Sequence, residues 1–346
     1  MHYEAGMNYY GPGIAAWFYD EFTALMSRAP DPVASTLPAA PNVVTFNGAS
    51  RVQLSGNAYE IGYQRGLAFG DAIRAAYDER VVQGVRNDSL VPDEGLWTVL
   101  PGIIDHSRLA LVRMAIGART LLDGLEPNLI DEVAGMADAA ELPFDAMWLV
   151  QTYPEFVNPD RFDGLYRAPF CTLIAVTGDR AGADQILVGR TLDWAIDEQP
   201  AILEYDNEDG YDYLQVGFGW NAGVFTGMNE RGLVVAVERI EQAGEPSFDA
   251  PGIEFLLREC LLRDATALEA NTRLARFSAL RGHHILLADA AGDAFVIELA
   301  GVPTIRTSGD GVLLGALPDA GAVGNDARLR YARVQSLLAD ERIVSP

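Results

Sequence analysis

The sequence predicts an α+β fold, with a mainly helical first half followed by antiparallel hairpins and interspersed helices. Three observations carry this. Residues 93–154 place apolar side chains at helical spacing, as in Leu109, Val112 and Ile116. From residue 171 onward, short β-rich runs alternate with turns rich in Gly, Asp and Asn, the pattern of hairpins. The chain has 346 residues, 49% of them hydrophobic, enough for a sizeable core in one large domain or two intertwined halves.

Taken in order, residues 1–45 read as an N-terminal extension and linker. Within them, residues 14–26 form an amphipathic helix with Ala15, Phe18, Phe22 and Leu25 on one face, and residues 29–42 are rich in Pro and Ala. Residues 43–54 read as strand, turn, strand, with Asn47-Gly48 at the turn. A helix then starts at Asn57, an N-cap with Glu60 three residues on, the order of a capping box. Gly62, Gly66 and Gly70 recur every four residues, which bares one helix face for close packing. Residues 46–170 thus form a mainly helical segment, and residues 171–346 a β segment that shares one intertwined domain with it. In the latter, residues 251–263 and 265–280 read as helices, and residues 284–299 as a hairpin turning at Asp289-Ala290-Ala291-Gly292-Asp293.

Composition removes several function classes. The net charge is −24, which repels nucleic acid and anionic membranes. All 25 basic residues are arginine, so Schiff-base, pyridoxal-phosphate and P-loop lysine chemistry is excluded. Two cysteines, Cys171 and Cys260, are too few for a disulfide framework. Among four histidines, only His283-His284 are adjacent, and neighbours on a strand point to opposite faces, a poor chelate. No metal or cofactor is implied. No basic region precedes an apolar run at the N-terminus, and no run is long enough to span a membrane, so a cytoplasmic protein is expected.

The chemistry concentrates between Cys171 and Trp194. A β-rich run from Cys171 to Thr177 leads through a Gly/Asp turn to Ile186-Leu187-Val188, then Gly189-Arg190-Thr191-Leu192-Asp193-Trp194. Pairing Gly178 with Ile186 sets Cys171 opposite Asp193, with Cβ atoms about 5 Å apart. In that register Arg190 falls on the other face, and a bulge near Thr191 is needed to bring it in. Cys260, among Leu256, Leu257, Leu261 and Leu262, reads as a core thiol.

Cys-Thr opening a strand, with Gly-Arg-x-Leu-Asp-Trp about twenty residues on, resembles the N-terminal-nucleophile (Ntn) hydrolases that use cysteine. The similarity is greatest to the acyl-CoA:isopenicillin-N acyltransferase-like group, with choloylglycine hydrolases and acid ceramidase relatives sharing the core. Two further stretches carry it: Gly56-Asn57-Ala58-Tyr59-Glu60-Ile61-Gly62-Tyr63-Gln64-Arg65-Gly66, and Gly227-Met228-Asn229-Glu230-Arg231-Gly232-Leu233. The resemblance covers roughly residues 50–340 and implies a four-layer αββα sandwich. It also implies self-cleavage between Phe170 and Cys171, after which the new α-amine serves as base for the thiol, with an αβ heterodimer as product. Phe170 is bulkier than the residues common before the cysteine in these relatives.

The remaining site residues follow from the same resemblance. Arg190 would favour the thiolate, and Asp193 would hold the amine. Backbone groups near Asn229, and Glu238 as the counterpart of a glutamate in the acid ceramidase branch, would line the oxyanion side. For Glu238 an exposed ion pair at a strand end stays an equal alternative. The last core strand, residues 312–316, lacks the expected asparagine, so Asn325 is the nearest substitute, and Arg330 matches a later arginine. The expected substrate is a small amide or acyl metabolite. Two other readings stay open: a ligand-binding relative with an impaired site, and a CoA-dependent acyltransferase, for whose phosphates the chain has no basic cluster.

Overall fold

The computed structural model describes residues 37–46, 48–83, 118, 122, 125–156, 171–182, 186–192, 199–239, 251–277, 283–298, 304–307, 311–315, 329, 332–334 and 336–337. The expected helix over residues 14–26, the approach to Phe170, and Asp193, Asn325 and Arg330 lie outside these residues.

The first described elements are the expected hairpin, β1 (Val43–Phe46) against β2 (Ala49–Gly56), Phe46 pairing with Ala49. Helix α1 (Ala58–Ala76) begins as the sequence predicts. The Asn57 side chain accepts from the Glu60 amide at 3.0 Å, and the Glu60 carboxylate accepts from the Asn57 amide at 3.1 Å. A π-helical turn, Tyr77–Val82, extends it. Helices α2 (Pro127–Ala139) and α3 (Phe144–Phe156) follow. The α1 glycines serve packing: a Cβ at Gly62 would stand 1.9 Å from the Glu132 carbonyl oxygen, and one at Gly66 2.7 Å from that of Met136. Gly135 on α2 answers them, 2.2 Å from the Tyr59 carbonyl. Only bare backbone lets these two helices approach so closely.

Strands β3 (Thr172–Val176) and β4 (Leu187–Thr191) form a hairpin, joined by β12 (Val312–Leu314) into a three-stranded sheet of order β12-β3-β4. Strands β5 (Ala201–Asn207), β6 (Tyr213–Gly217), β7 (Thr226–Asn229), β8 (Val234–Arg239), β9 (His283–Ala288), β10 (Ala294–Glu298) and β11 (Thr304–Thr307) build a nine-stranded sheet with the first hairpin. Its order is β1-β2-β5-β6-β7-β8-β9-β10-β11, antiparallel except where β2 meets β5. Between β8 and β9 lie α4 (Ile253–Arg263) and α5 (Ala267–Leu274), the latter with a Thr266/Glu269 capping box.

The period-2 alternation of the central strands sorts their side chains. Val235, Val237, Ile285, Leu287 and Ile297 face helices, packing with Ile61, Leu257 and Leu261. Ala236, Leu286, Ala288 and Val296 face the small sheet, packing with Leu173, Ala175 and Leu313. This intersheet layer positions the candidate site, because Cys171 lies two residues before Leu173.

Buried charge ties the helices to the large sheet. Glu132 on α2 accepts from Arg65 of α1 at 3.2 Å and from Arg258 of α4 at 2.6 Å, all three side chains being almost fully buried. Arg65 also donates to the Tyr205 hydroxyl at 2.6 Å, to the carbonyls of Gly219 and Phe218, each at 2.9 Å, and to that of Asn221. Arg65 thus pins the loop between β6 and β7. Burial alone would lower the Arg258 pKa, but Glu132 and its other neighbours raise it overall, so Arg258 stays charged. Nothing in the local pattern of residues 56–66, its glycines and its cap, points to this role for Arg65. No helix among the described residues is long and apolar enough to cross a membrane.

Candidate active site

Cys171 stands immediately before β3 and is 7% exposed. The β3–β4 ladder pairs Thr172 with Thr191, Leu173 with Arg190, Ile174 with Gly189 and Val176 with Leu187. This corrects the register expected from the sequence by one residue. Directly opposed residues share a face, so Arg190 lies on the Leu173 face, which is also the face of Cys171. No bulge is needed: the Arg190 Nη2 lies 3.5 Å from the Cys171 sulfur. The turn accounts for the slip. Gly178–Arg180 form a short 3-10 segment with Gly178 at φ +61°, so Gly178 belongs to the turn rather than to the ladder, and pairing ends at Val176.

A thiol beside a guanidinium is the arrangement that favours thiolate. Cys260 shows the contrast. It is fully buried, and burial, then Asp264, push its thiol pKa well above the ordinary value. That agrees with the core role read from its leucine neighbours.

Glu238 is neither exposed nor at a frayed strand end. It lies within β8, is 5% exposed and has its Oε1 2.7 Å from His284 Nδ1. The exposed ion-pair alternative is thereby overturned. Being two residues beyond Ala236, Glu238 points to the small sheet. There it borders Gly315, where a Cβ would stand 3.0 Å from Glu238 Oε1 and 2.8 Å from Leu173 Cβ. The Gly315 amide donates to the Leu173 carbonyl at 2.9 Å. Where the resemblance implies an asparagine side chain on the last core strand, this chain has a bare glycine beside the Glu238 carboxyl.

Asn229 is corrected in the other direction. Its side chain donates to the carbonyls of Leu261 at 2.9 Å and Asp264 at 2.8 Å, and accepts from the amides of Arg231 at 3.1 Å and Leu233 at 3.0 Å. Nearby amides are also engaged, that of Asn229 with Leu233 and that of Glu230 with Asp212. With Gly232 at φ +82°, Asn229 knits the β7–β8 turn to the end of α4. That turn lies at the opposite end of β8 from Glu238, so Asn229 leaves the list of oxyanion groups.

His284 is the residue that sequence reasoning passed over. In the sequence it stands out only as half of an adjacent histidine pair, whereas its partners sit on neighbouring strands. The available signal was the Asp289 to Asp293 turn, from which the register sets His284 opposite Glu298. Among the described residues, no group of three or more His, Cys, Asp or Glu side chains is placed to hold a metal ion.

No protein-family model matches this chain, and no curated protein matches it. Among solved structures, it is similar to a Caenorhabditis elegans ortholog of N-acylethanolamine-hydrolyzing acid amidase, with 21% identity and a TM-score of 0.37 over 42% of this chain and 68% of that one. It is also similar to penicillin V acylase from Agrobacterium tumefaciens, with 18% identity and a TM-score of 0.28 over 50% of this chain and 51% of that one. A variant of conjugated bile acid hydrolase from Clostridium perfringens gives 14% identity and a TM-score of 0.27 over 49% and 50%. This chain thus spans about half the length of the latter two. Likenesses at these scores assign neither family nor activity.

Proposed function

We propose that the protein is an Ntn amidohydrolase of the four-layer αββα type, acting on a small acylated amide through Cys171. The observation that carries this reading is the 3.5 Å contact between Arg190 and the Cys171 sulfur, on the strand face turned toward the large sheet. Cleavage between Phe170 and Cys171 would leave an α-amine on the nucleophile itself, and such an amine titrates near 8 in model peptides. It takes the thiol proton, and the thiolate, favoured by Arg190, attacks the amide carbonyl. The resemblance assigns the Glu238 and Asn325 side chains to the oxyanion side of the site, Asp193 to the amine, and Arg330 to the later arginine of the family pattern. As the C–N bond breaks, the α-ammonium returns its proton to the leaving amine and a thioester remains. Water, deprotonated by the same amine, then releases the acid. An acceptor amine in place of that water would give acyl transfer.

Intact mass under denaturing conditions, beside a Cys171→Ala control, tests this. Fragments of residues 1–170 and 171–346 in the wild type only, with turnover of an amide panel, are expected. An uncleaved wild-type chain, or amide turnover that survives Cys171→Ala, overturns it.

A further inference from the structure

Behind Glu238, the large sheet carries two more ionisable side chains that the mechanism above leaves without a role. The ladders align them: Glu238 on β8 is the direct partner of His284 on β9, and His284 is the direct partner of Glu298 on β10. Directly opposed residues point to one face. The three therefore stand side by side, two positions along from Ala236, Leu286 and Val296 of the intersheet layer. His284 Nδ1 lies 2.7 Å from Glu238 Oε1, and its Nε2 lies 3.6 Å from Glu298 Oε2. Glu238 and His284 are 5% and 4% exposed, and the Glu298 side chain 18%, so the row runs from the interior toward the rim.

The geometry divides the labour within the row. A 2.7 Å contact between a ring nitrogen and a carboxyl oxygen needs one shared hydrogen. With it on Nδ1, Oε1 is occupied and the carboxyl plane is fixed. Glu238 Oε2 is buried and has no hydrogen-bond partner among the described residues. Leaving such a group unmade is costly, so Oε2 is free among the described residues to take a further hydrogen bond. Gly315, just past β12, and the Leu173 side chain on β3 flank that carboxyl from the small sheet, and Cys171 stands immediately before β3.

We propose that His284 is a positioning residue for Glu238. It donates from Nδ1 to Oε1 and so presents Oε2 to the groups reacting at Cys171. This rests on the amidohydrolase reading above.

The test compares His284→Leu, which fills the space without a donor, and His284→Asn, whose Nδ2 stands near the place of the ring Nδ1. Kinetics are measured on a panel of N-acyl aminocoumarin amides, with iodoacetamide alkylation of Cys171 and a thermal melt alongside. His284→Leu is expected to lower kcat about 10²–10³-fold, the size seen when one oxyanion-side group is lost. KM and alkylation should change less than about threefold. His284→Asn should recover most of the lost kcat. Equal kcat in His284→Leu and wild type overturns the proposal, as does an Asn variant no better than Leu, or a kcat loss matched by an equal loss of alkylation. A wild type that neither cleaves itself nor turns over any amide overturns the amidohydrolase reading instead. The contact is then decided by NMR of the imidazole: an Nδ1 hydrogen slow to exchange in wild type and fast in Glu238→Leu supports it, and equal exchange overturns it.

Discussion

Arg190 reaches Cys171 from across the β3–β4 hairpin, its Nη2 3.5 Å from the sulfur, because the ladder sets Leu173 opposite Arg190 and the Cys171 and Arg190 side chains on one face. A charge so placed acts on the thiolate and hardly on the thiol. Arg190→Leu should therefore slow iodoacetamide alkylation of Cys171 at pH 7 about tenfold, the equivalent of roughly 1.4 kcal/mol of charge interaction. Peptide mass spectrometry after timed labelling gives the rate, and an unchanged rate would show that the guanidinium does not act on the sulfur.

The second cysteine supplies the internal control. Cys260 is fully buried, and burial and Asp264 raise its pKa, so its reactive form is scarce in the folded protein. At pH 8, Cys171 should label in native buffer and Cys260 only once guanidinium chloride unfolds the chain. Cys260 labelling at the Cys171 rate in native buffer would contradict this packing.

Gly315 leaves the space that the Glu238 carboxyl needs. A methyl group there would press on Leu173 Cβ at 2.8 Å and Glu238 Oε1 at 3.0 Å. The leucine is core, so the carboxyl is the group that must yield. Gly315→Ala should cost about 1–3 kcal/mol in urea unfolding, the usual range for overpacking, and should lower turnover as well. Unaltered stability and turnover together would mean that the two sheets part easily at this point.

Asn229 makes the reverse case, a polar residue whose work is structural. Asn229→Ala removes two donors to α4 carbonyls and two acceptors in the β7–β8 turn. A loss of about 2–4 kcal/mol is expected from orphaned buried groups, while Cys171 alkylation in the folded protein keeps its rate. A variant of normal stability but slowed alkylation would return Asn229 to the site.

What the sequence made legible was local. The Asn57 cap, the Gly62 and Gly66 packing face and the Asp289 to Asp293 turn each depend on a few neighbouring residues, and each is found. The Cys171 and Arg190 pair was legible for the same reason, as parts of one hairpin. Their relative facing was not, because a one-residue change in turn length reverses a strand's faces, and Gly178 joined the turn. The Glu238–His284 contact was out of reach because it joins strands separated by two helices, α4 and α5. The parallel β2–β5 pairing was likewise non-local, between strands on either side of the helical half.

The Arg65–Glu132–Arg258 cluster was equally hidden, and it carries the sharpest stability prediction. Removing the shared carboxylate by Glu132→Ala leaves two buried guanidinium groups facing each other, and about 3–5 kcal/mol should be lost in urea unfolding. In many proteins a buried ionic triad can be exchanged for well-packed apolar residues without loss. Here that exchange should fail. Arg65 also donates to the carbonyls of Phe218, Gly219 and Asn221, and each buried carbonyl left without a donor costs about 1–3 kcal/mol. An Arg65→Met, Glu132→Leu, Arg258→Met variant should thus be no more stable than Glu132→Ala, and recovery to wild-type stability would show that Arg65 is not what holds the β6–β7 loop.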